Sequence, residues 1–320
     1  MEPILDPSNE RLVVFPIQHP TLWELYKRHV STFWTPEEID FTGDRDDFEA
    51  CTETEQTVIQ SVLAFFAASD GLVMQNIGGN FGSEVRLLEA SLFYSVQHFM
   101  EGVHAETYSL LIETLIESTE TKQGLFTALA TMPHVQTKAA FAQAYMDPSL
   151  PFAERLVTFL MLEGVLFSAS FAIVFYFRET NRMKGLTFSN SLIARDEALH
   201  TEFGVALFRM VERPPSAARI HEIARQAVDA ETVFVDATLG VDGLPGLSSS
   251  TMITYVQHTA DNVLRSMGVP PLYDAPQPLP YMVKQGMLSK DNFFEKRVSE
   301  YSRAGVGRQT DSSFGFDEAF

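Results

Sequence analysis

The stretches MEGVHAETYSLLIET, residues 100–114, and IARDEALH, residues 193–200, each carry Glu-x-x-His, at Glu101–His104 and at Glu197–His200. Both lie in runs with helical apolar periodicity. At about 100° per residue, the Glu and His of each motif fall about 60° apart on one face and one turn apart, so both can bind one metal ion. A single such motif is most often a solvated helix face. Two are more informative, because each follows a carboxylate set in apolar sequence: Asp70 in LAFFAASDGLVM and Glu163 in FLMLEGVLFS. The chain therefore repeats a unit of lone acid, helix turnover and Glu-x-x-His. Four carboxylates cannot share an apolar core unpaired, but with two neutral imidazoles they neutralise two divalent ions.

Two lone acids with two Glu-x-x-His helices form the known ligand signature of di-iron and di-manganese helical bundles, with Asp70 here in a place where Glu is usual. The prediction is an all-α, ferritin-like helical bundle with a dinuclear metal site in its core. Iron and manganese share this ligand set, so either metal fits the pattern. His98 lies about 60° from Glu101 on the other side, and periodicity alone leaves it as a core or surface histidine. The single cysteine, Cys51, rules out an intramolecular disulfide and argues against a thiolate zinc cluster.

Outward from the motifs, helices dominate. Periodicity predicts helices over Thr21–His29, Thr54–Asn76, Ser83–Glu117, 122–145 with a break near Pro133, Ser189–Val211, 216–238 and 249–266. Leu156–Phe177 has Glu163 as its only charge and is long enough to cross a bilayer. A lone carboxylate near its middle makes a membrane span costly, so it reads instead as a helix surrounded by other helices. No alternating pattern argues for a sheet of any size. After Gly268, five prolines between Pro270 and Pro280 predict a loop or strap. The expected organisation is one helical domain over 1–285 and a flexible tail over 286–320.

With 23 Lys plus Arg against 42 Asp plus Glu, the net charge of −19 repels phosphate backbones and anionic lipid, so nucleic acid and membrane are not expected partners. The start MEPILDPSNERLV has no basic segment followed by an apolar run, which with one cysteine predicts a soluble, cytoplasmic protein. The last residues, RAGVGRQTDSSFGFDEAF, carry Phe314, Phe316 and Phe320, aromatics that a disordered end would lack unless a partner buried them.

Tyr108 follows His104 by four residues and returns to the same face one turn on. Beside an oxygen-activating metal pair, a phenol is the side chain most readily oxidised by one electron. Phe167 and Phe171, four and eight residues after Glu163, and Ile193, four before Glu197, fall on or near the ligand faces and could keep such a site dry.

At VLAFFAASDG, MEGVHAETYSLLIET, EGVLFS, GLTFSN, IARDEALH and FFEKRVSEY, the sequence resembles the small, radical-bearing subunits of class I ribonucleotide reductase, most of all the eukaryotic-type and viral branch. The resemblance runs from about residue 20 to the end. It implies that Asp70, Glu101 and His104 bind one iron and Glu163, Glu197 and His200 the other, with Glu101 and a second carboxylate bridging. It implies a stable radical on Tyr108 within a pocket of Phe167, Phe171 and Ile193. Trp34 and Asp196 match the first steps of a path carrying the radical out through His104, and Tyr301 the tyrosine that passes it on. The end FGFDEAF matches a docking peptide for the large subunit, with Phe314, Phe316 and Phe320 as anchors and Asp317 and Glu318 as acidic contacts. A homodimer is implied too, as is a division of labour in which the large subunit holds the ribonucleotide. Manganese in place of iron stays possible. Two other readings use the same ligands: a di-iron oxygenase or oxidase, which gives Tyr108 and the tail no role, and a ferritin-like iron-binding protein, which needs neither the long apolar shield nor Trp34; both leave FFEKRVSEY and the C-terminal aromatics unexplained.

Overall fold

The computed structural model describes residues 2–291, and these are helical, with no strand among them beyond one isolated bridge between Leu244 and Leu247. The main helices are α1 (Pro20–Ser31), α2 (Asp44–Glu49), α3 (Glu53–Asn76), α4 (Leu88–Leu115), α5 (Thr119–Phe126), α6 (Ala128–Thr131) and α7 (Pro133–Ala144). They continue as α8 (Phe152–Met161), α9 (Ser168–Glu179), α10 (Lys184–Phe208), α11 (Ala217–Leu239), α12 (Ser249–Ser266) and α13 (Pro280–Asp291). The central bundle is α3, α4, the α8–α9 rod and α10, with α1, α11 and α12 packed around it.

Local chemistry sets the register of each central helix. Thr52 caps α3 through a reciprocal pair with Glu55. The start of α4 has no side-chain cap, but Glu89 in its first turn accepts hydrogen bonds from Gln18 N at 2.8 Å and His19 N at 3.3 Å, and pairs with Arg11. The irregular N-terminal segment is thereby strapped onto the bundle. The start of α10 is capped by another helix: Asp47 accepts from Met183 N at 2.7 Å, and Asp44 from Gly185 N at 2.9 Å and Leu186 N at 2.6 Å. Gly185 permits this approach, since a Cβ there would lie 2.6 Å from Phe41 and 2.7 Å from Asp40 O.

Two expectations need correction. The helix expected from Ser83 begins at Leu88, because α3 runs into a π-turn at Ile77–Phe81 and the chain is extended at Val85 and Leu87. The rod expected to be continuous from Leu156 to Phe177 is split by a second π-turn, Leu162–Leu166, which encloses Glu163. A residue inserted into a helix that is apolar all round breaks no polar face, so the sequence does not show it. The loop or strap expected after Gly268 is present, and α13 follows it from Pro280. The Pro-rich part of the strap is held by the buried Asp261 carboxylate, which accepts from Leu272, Tyr273 and Ala275 N at 2.7–3.0 Å, and α13 then packs on α9 through Tyr281 Oη, which donates to Ala172 O at 3.1 Å.

Among the described residues, two helical stretches, Glu53–Glu84 and Phe152–Glu179, are long and apolar enough to cross a bilayer. For the second, 94% of the most apolar window is buried within the protein, so other helices already cover its apolar sides. The core also buries an ion pair: Lys138 Nζ lies 2.7 Å from Glu231 and 3.2 Å and 3.9 Å from the ring centroids of Phe65 and Phe234. Burial pushes Lys138 down to about 8 and Glu231 up, each opposed by its partner.

Candidate metal centre

The six acids and histidines singled out by spacing converge, although they come from four separate segments of the chain. Glu101, Glu163, Glu197 and His200 present ligand atoms within 4.8 Å of one another, and so do Asp70, Glu101 and His104. Glu101 belongs to both groups. His200 Nδ1 lies 3.1 Å from Glu101, 3.2 Å from Glu197 and 3.5 Å from Glu163; His104 Nδ1 lies 3.3 Å from Glu197 and 3.5 Å from Glu101. One oxygen of Glu197 thus faces each imidazole, so a second carboxylate spans the two halves. All six side chains are buried.

The donor atoms have the chemistry of metal ligands. Asp70 Oδ2, both oxygens of Glu101, Glu163 Oε2, Glu197 Oε1 and His104 Nδ1 are buried without a well-formed hydrogen bond. Such a concentration of unpaired acceptors is unfavourable unless a positive charge satisfies them. Counting only the protein's own charges, burial pushes Asp70 and Glu163 far above the usual carboxylate range, with Glu101 adding to Asp70 and Glu197 to Glu163. Burial also works against the charged forms of His104, His200 and Glu197. Here hydrogen bonds and opposite charges outweigh it, raising both histidines and lowering Glu197. Two divalent ions would balance four carboxylates, and the mixed oxygen and imidazole donors suit iron or manganese. The residues fit a dinuclear site.

The outer nitrogens of the two histidines differ in their partners. His104 Nε2 lies 3.2 Å from Asp196 Oδ2, which also accepts from Trp34 Nε1 at 2.8 Å; the Trp34 and His104 rings stack at 5.9 Å. Arg195 donates to the other Asp196 oxygen at 2.7 Å, and although burial opposes it, this cation and His104 hold Asp196 ionised. His200 Nε2 instead faces His29 Nε2 at 3.4 Å.

Tyr108 is 1% exposed and its hydroxyl has no hydrogen-bond partner among the described residues. Burial, with the Asp70 charge next, raises its pKa well above the usual phenol value. Its ring stacks on Phe66 at 4.4 Å and 11°, and Phe66 in turn meets Phe171 at 5.2 Å and Phe167 at 6.2 Å. Ile193 is also buried. His98 is exposed, away from the cluster. Tyr301, Phe314, Phe316, Asp317, Glu318 and Phe320 lie outside the described residues.

Three neighbours of the cluster escaped the sequence reading. Phe66 and Gln97 lie one turn before Asp70 and Glu101, a spacing that could have found both; Gln97 Nε2 donates to Glu163 at 3.1 Å. His29 occupies an apolar position in α1, in line with Leu22 and Leu25. A cavity of about 640 Å³, walled by Phe171, Phe175, Val205 and Val263, reaches Glu163 and Glu197 from the other side. Gly164 keeps that wall close, since a Cβ there would lie 2.8 Å from Val263.

The family model for the ribonucleotide reductase small chain matches residues 11–280. The chain is 42% identical over 320 residues to the ribonucleoside-diphosphate reductase small chain of Vaccinia virus (strain Ankara), covering 100% of both chains. It is also 42% identical to the small chain of Nicotiana tabacum, covering 100% of this chain and 98% of the other. The solved structure of the ribonucleotide reductase Rnr4 homodimer from Saccharomyces cerevisiae is similar, with TM-score 0.82 and 31% identity over 93% of this chain and 92% of that one. The family match spans every segment that contributes to the carboxylate–histidine cluster, and the chain belongs to the family of ribonucleotide reductase small chains.

Proposed function

We propose that this small subunit of ribonucleoside-diphosphate reductase holds two iron ions between α3, α4, the Glu163 π-turn and α10, and uses them to generate a stable radical on Tyr108. The observation that carries the reading is Tyr108 itself, a phenol with no hydrogen-bond partner among the described residues, stacked on Phe66 one turn beyond the histidine His104. When bound, a redox-active metal pair supplies the reduction of dioxygen and the oxidising power to take an electron and a proton from a phenol.

The chain's own residues do the rest. Asp70, Glu101 and His104 hold one ion, and Glu163, Glu197 and His200 the other. Phe66, Phe167, Phe171 and Ile193 exclude water from the phenol, which keeps a phenoxyl from being quenched. The cavity ending at Glu163 and Glu197 gives a small oxidant a way in. His104, Asp196 and Trp34 form one hydrogen-bonded line leading from the cluster to the neighbourhood of α1, a path for an electron and its proton.

Nucleotide reduction itself belongs to a large subunit, docked by the tail through Phe314, Phe316 and Phe320 with Asp317 and Glu318, and joined to the path by Tyr301. The subunit works as a homodimer in the cytoplasm; Phe99 and Leu110, exposed about three turns apart on α4, offer a second copy an apolar face.

Anaerobic loading with ferrous iron followed by oxygen tests the reading by electron paramagnetic resonance. A persistent organic-radical signal is expected in the native protein and none in Tyr108→Phe. Iron that oxidises without a radical in the native protein would overturn it in favour of an oxygenase or iron-storage role; a radical seen only with manganese would replace the metal.

A further inference from the structure

His29 is 1% exposed, on the apolar face of α1, with its ring 5.1 Å from Phe93 and 4.9 Å from His200. A core position in line with Leu22 and Leu25 is filled more favourably by leucine, because the Nδ1 of His29 is buried without a partner among the described residues. The other nitrogen explains the choice. Two imidazole nitrogens facing each other at 3.4 Å need one proton between them, since two bare lone pairs or two N–H groups repel. His200 Nδ1 points at three carboxylates within 3.5 Å, so as a ligand it carries a lone pair there and its proton sits on Nε2. His200 therefore donates, and His29 Nε2 accepts.

We propose that His29 is a positioning residue for the ion held by Glu163, Glu197 and His200: it accepts the Nε2–H of His200 and so keeps the ring turned with Nδ1 toward the carboxylates. The two halves of the centre are thus backed unequally. His104 leans on a carboxylate fixed by Arg195 and Trp34, whereas His200 leans on an imidazole whose ring packs 5.1 Å from that of Phe93. Outer partners of metal-binding histidines contribute about 10–100-fold in affinity, so losing His29 weakens the second ion and spares the first.

The inference rests on the dinuclear reading, and its test separates the two. Metal-free full-length protein is titrated anaerobically with Mn(II), free ion being followed by its paramagnetic resonance, for the native chain, His29→Met and His29→Gln. Met and Gln have equal length, but only Gln has a carbonyl to accept the hydrogen bond. The native chain is expected to bind two ions. His29→Met should bind one ion as before and the second about 10–100-fold more weakly, while His29→Gln recovers most of that loss. Thermal melts of the metal-free proteins verify folding, and His29→Leu stands in should the Met variant not fold. Equal binding by His29→Met and the native chain overturns the proposal, as does equal weakening of both ions or no recovery with Gln. A native chain that binds no pair of ions overturns the dinuclear reading instead.

Discussion

One oxygen of Asp196 stands between the indole of Trp34, at 2.8 Å, and the imidazole of His104, at 3.2 Å, while the two rings stack on each other at 5.9 Å. The carboxylate therefore both orients an imidazole of the proposed metal centre and ties it to a tryptophan far away in sequence. Asp196→Asn keeps the shape but loses the charge that makes His104 a strong ligand. Affinity for the ion at Asp70, Glu101 and His104 should fall about 10–100-fold, measured by anaerobic ferrous titration. Unchanged affinity would show that Asp196 does not support His104.

Tyr108 buries a hydroxyl with no acceptor among the described residues, an arrangement that costs stability. Tyr108→Phe keeps the stack on Phe66 and removes the orphan, so metal-free protein should gain about 1 kcal/mol in urea unfolding. A loss of stability would mean that the phenol has a partner in solution.

Lys138 and Glu231 form a pair with no exposure, between Phe65 and Phe234. Breaking it from one side, as in Glu231→Leu, leaves an uncompensated buried cation and should cost about 3–5 kcal/mol. The double variant Lys138→Met/Glu231→Leu should recover part of the loss, because it removes the uncompensated cation but still takes away the Glu231 oxygen that accepts from Ala169 N at 3.2 Å. A double-mutant cycle in urea measures both, and additive losses would contradict the coupling.

Glu55 caps α3 and accepts from Arg182, a bond that outweighs burial and holds its carboxyl down to about 2 from 4.5. In the unfolded chain the carboxyl takes up a proton near the higher value, so its stabilisation is fully present above about pH 4.5 and is lost as pH falls toward 2. Glu55→Gln should cost about 1–3 kcal/mol at neutral pH. Chemical denaturation at a series of pH values should show the gap between the two proteins closing through that acid window. A gap constant down to the lower limit would refute the pairing.

The helical class, the two Glu-x-x-His turns, the lone acids and the place of Tyr108 were legible because helical spacing is local: residues three or four apart share a face whatever surrounds them. The net charge, likewise a property of the chain alone, set the partners to be expected, and the single cysteine ruled out an intramolecular disulfide. Tertiary structure decided the rest. That Glu101 and Glu197 stand between both histidines, that Asp196 reaches Trp34, that Lys138 meets Glu231 and that His29 backs His200 all depend on pairs at least 90 residues apart, which no periodicity records. The π-turn at Glu163 was hidden for a different reason. In a helix buried on every side, an inserted residue moves one apolar side chain to where another stood, and only the packing of its neighbours selects the register.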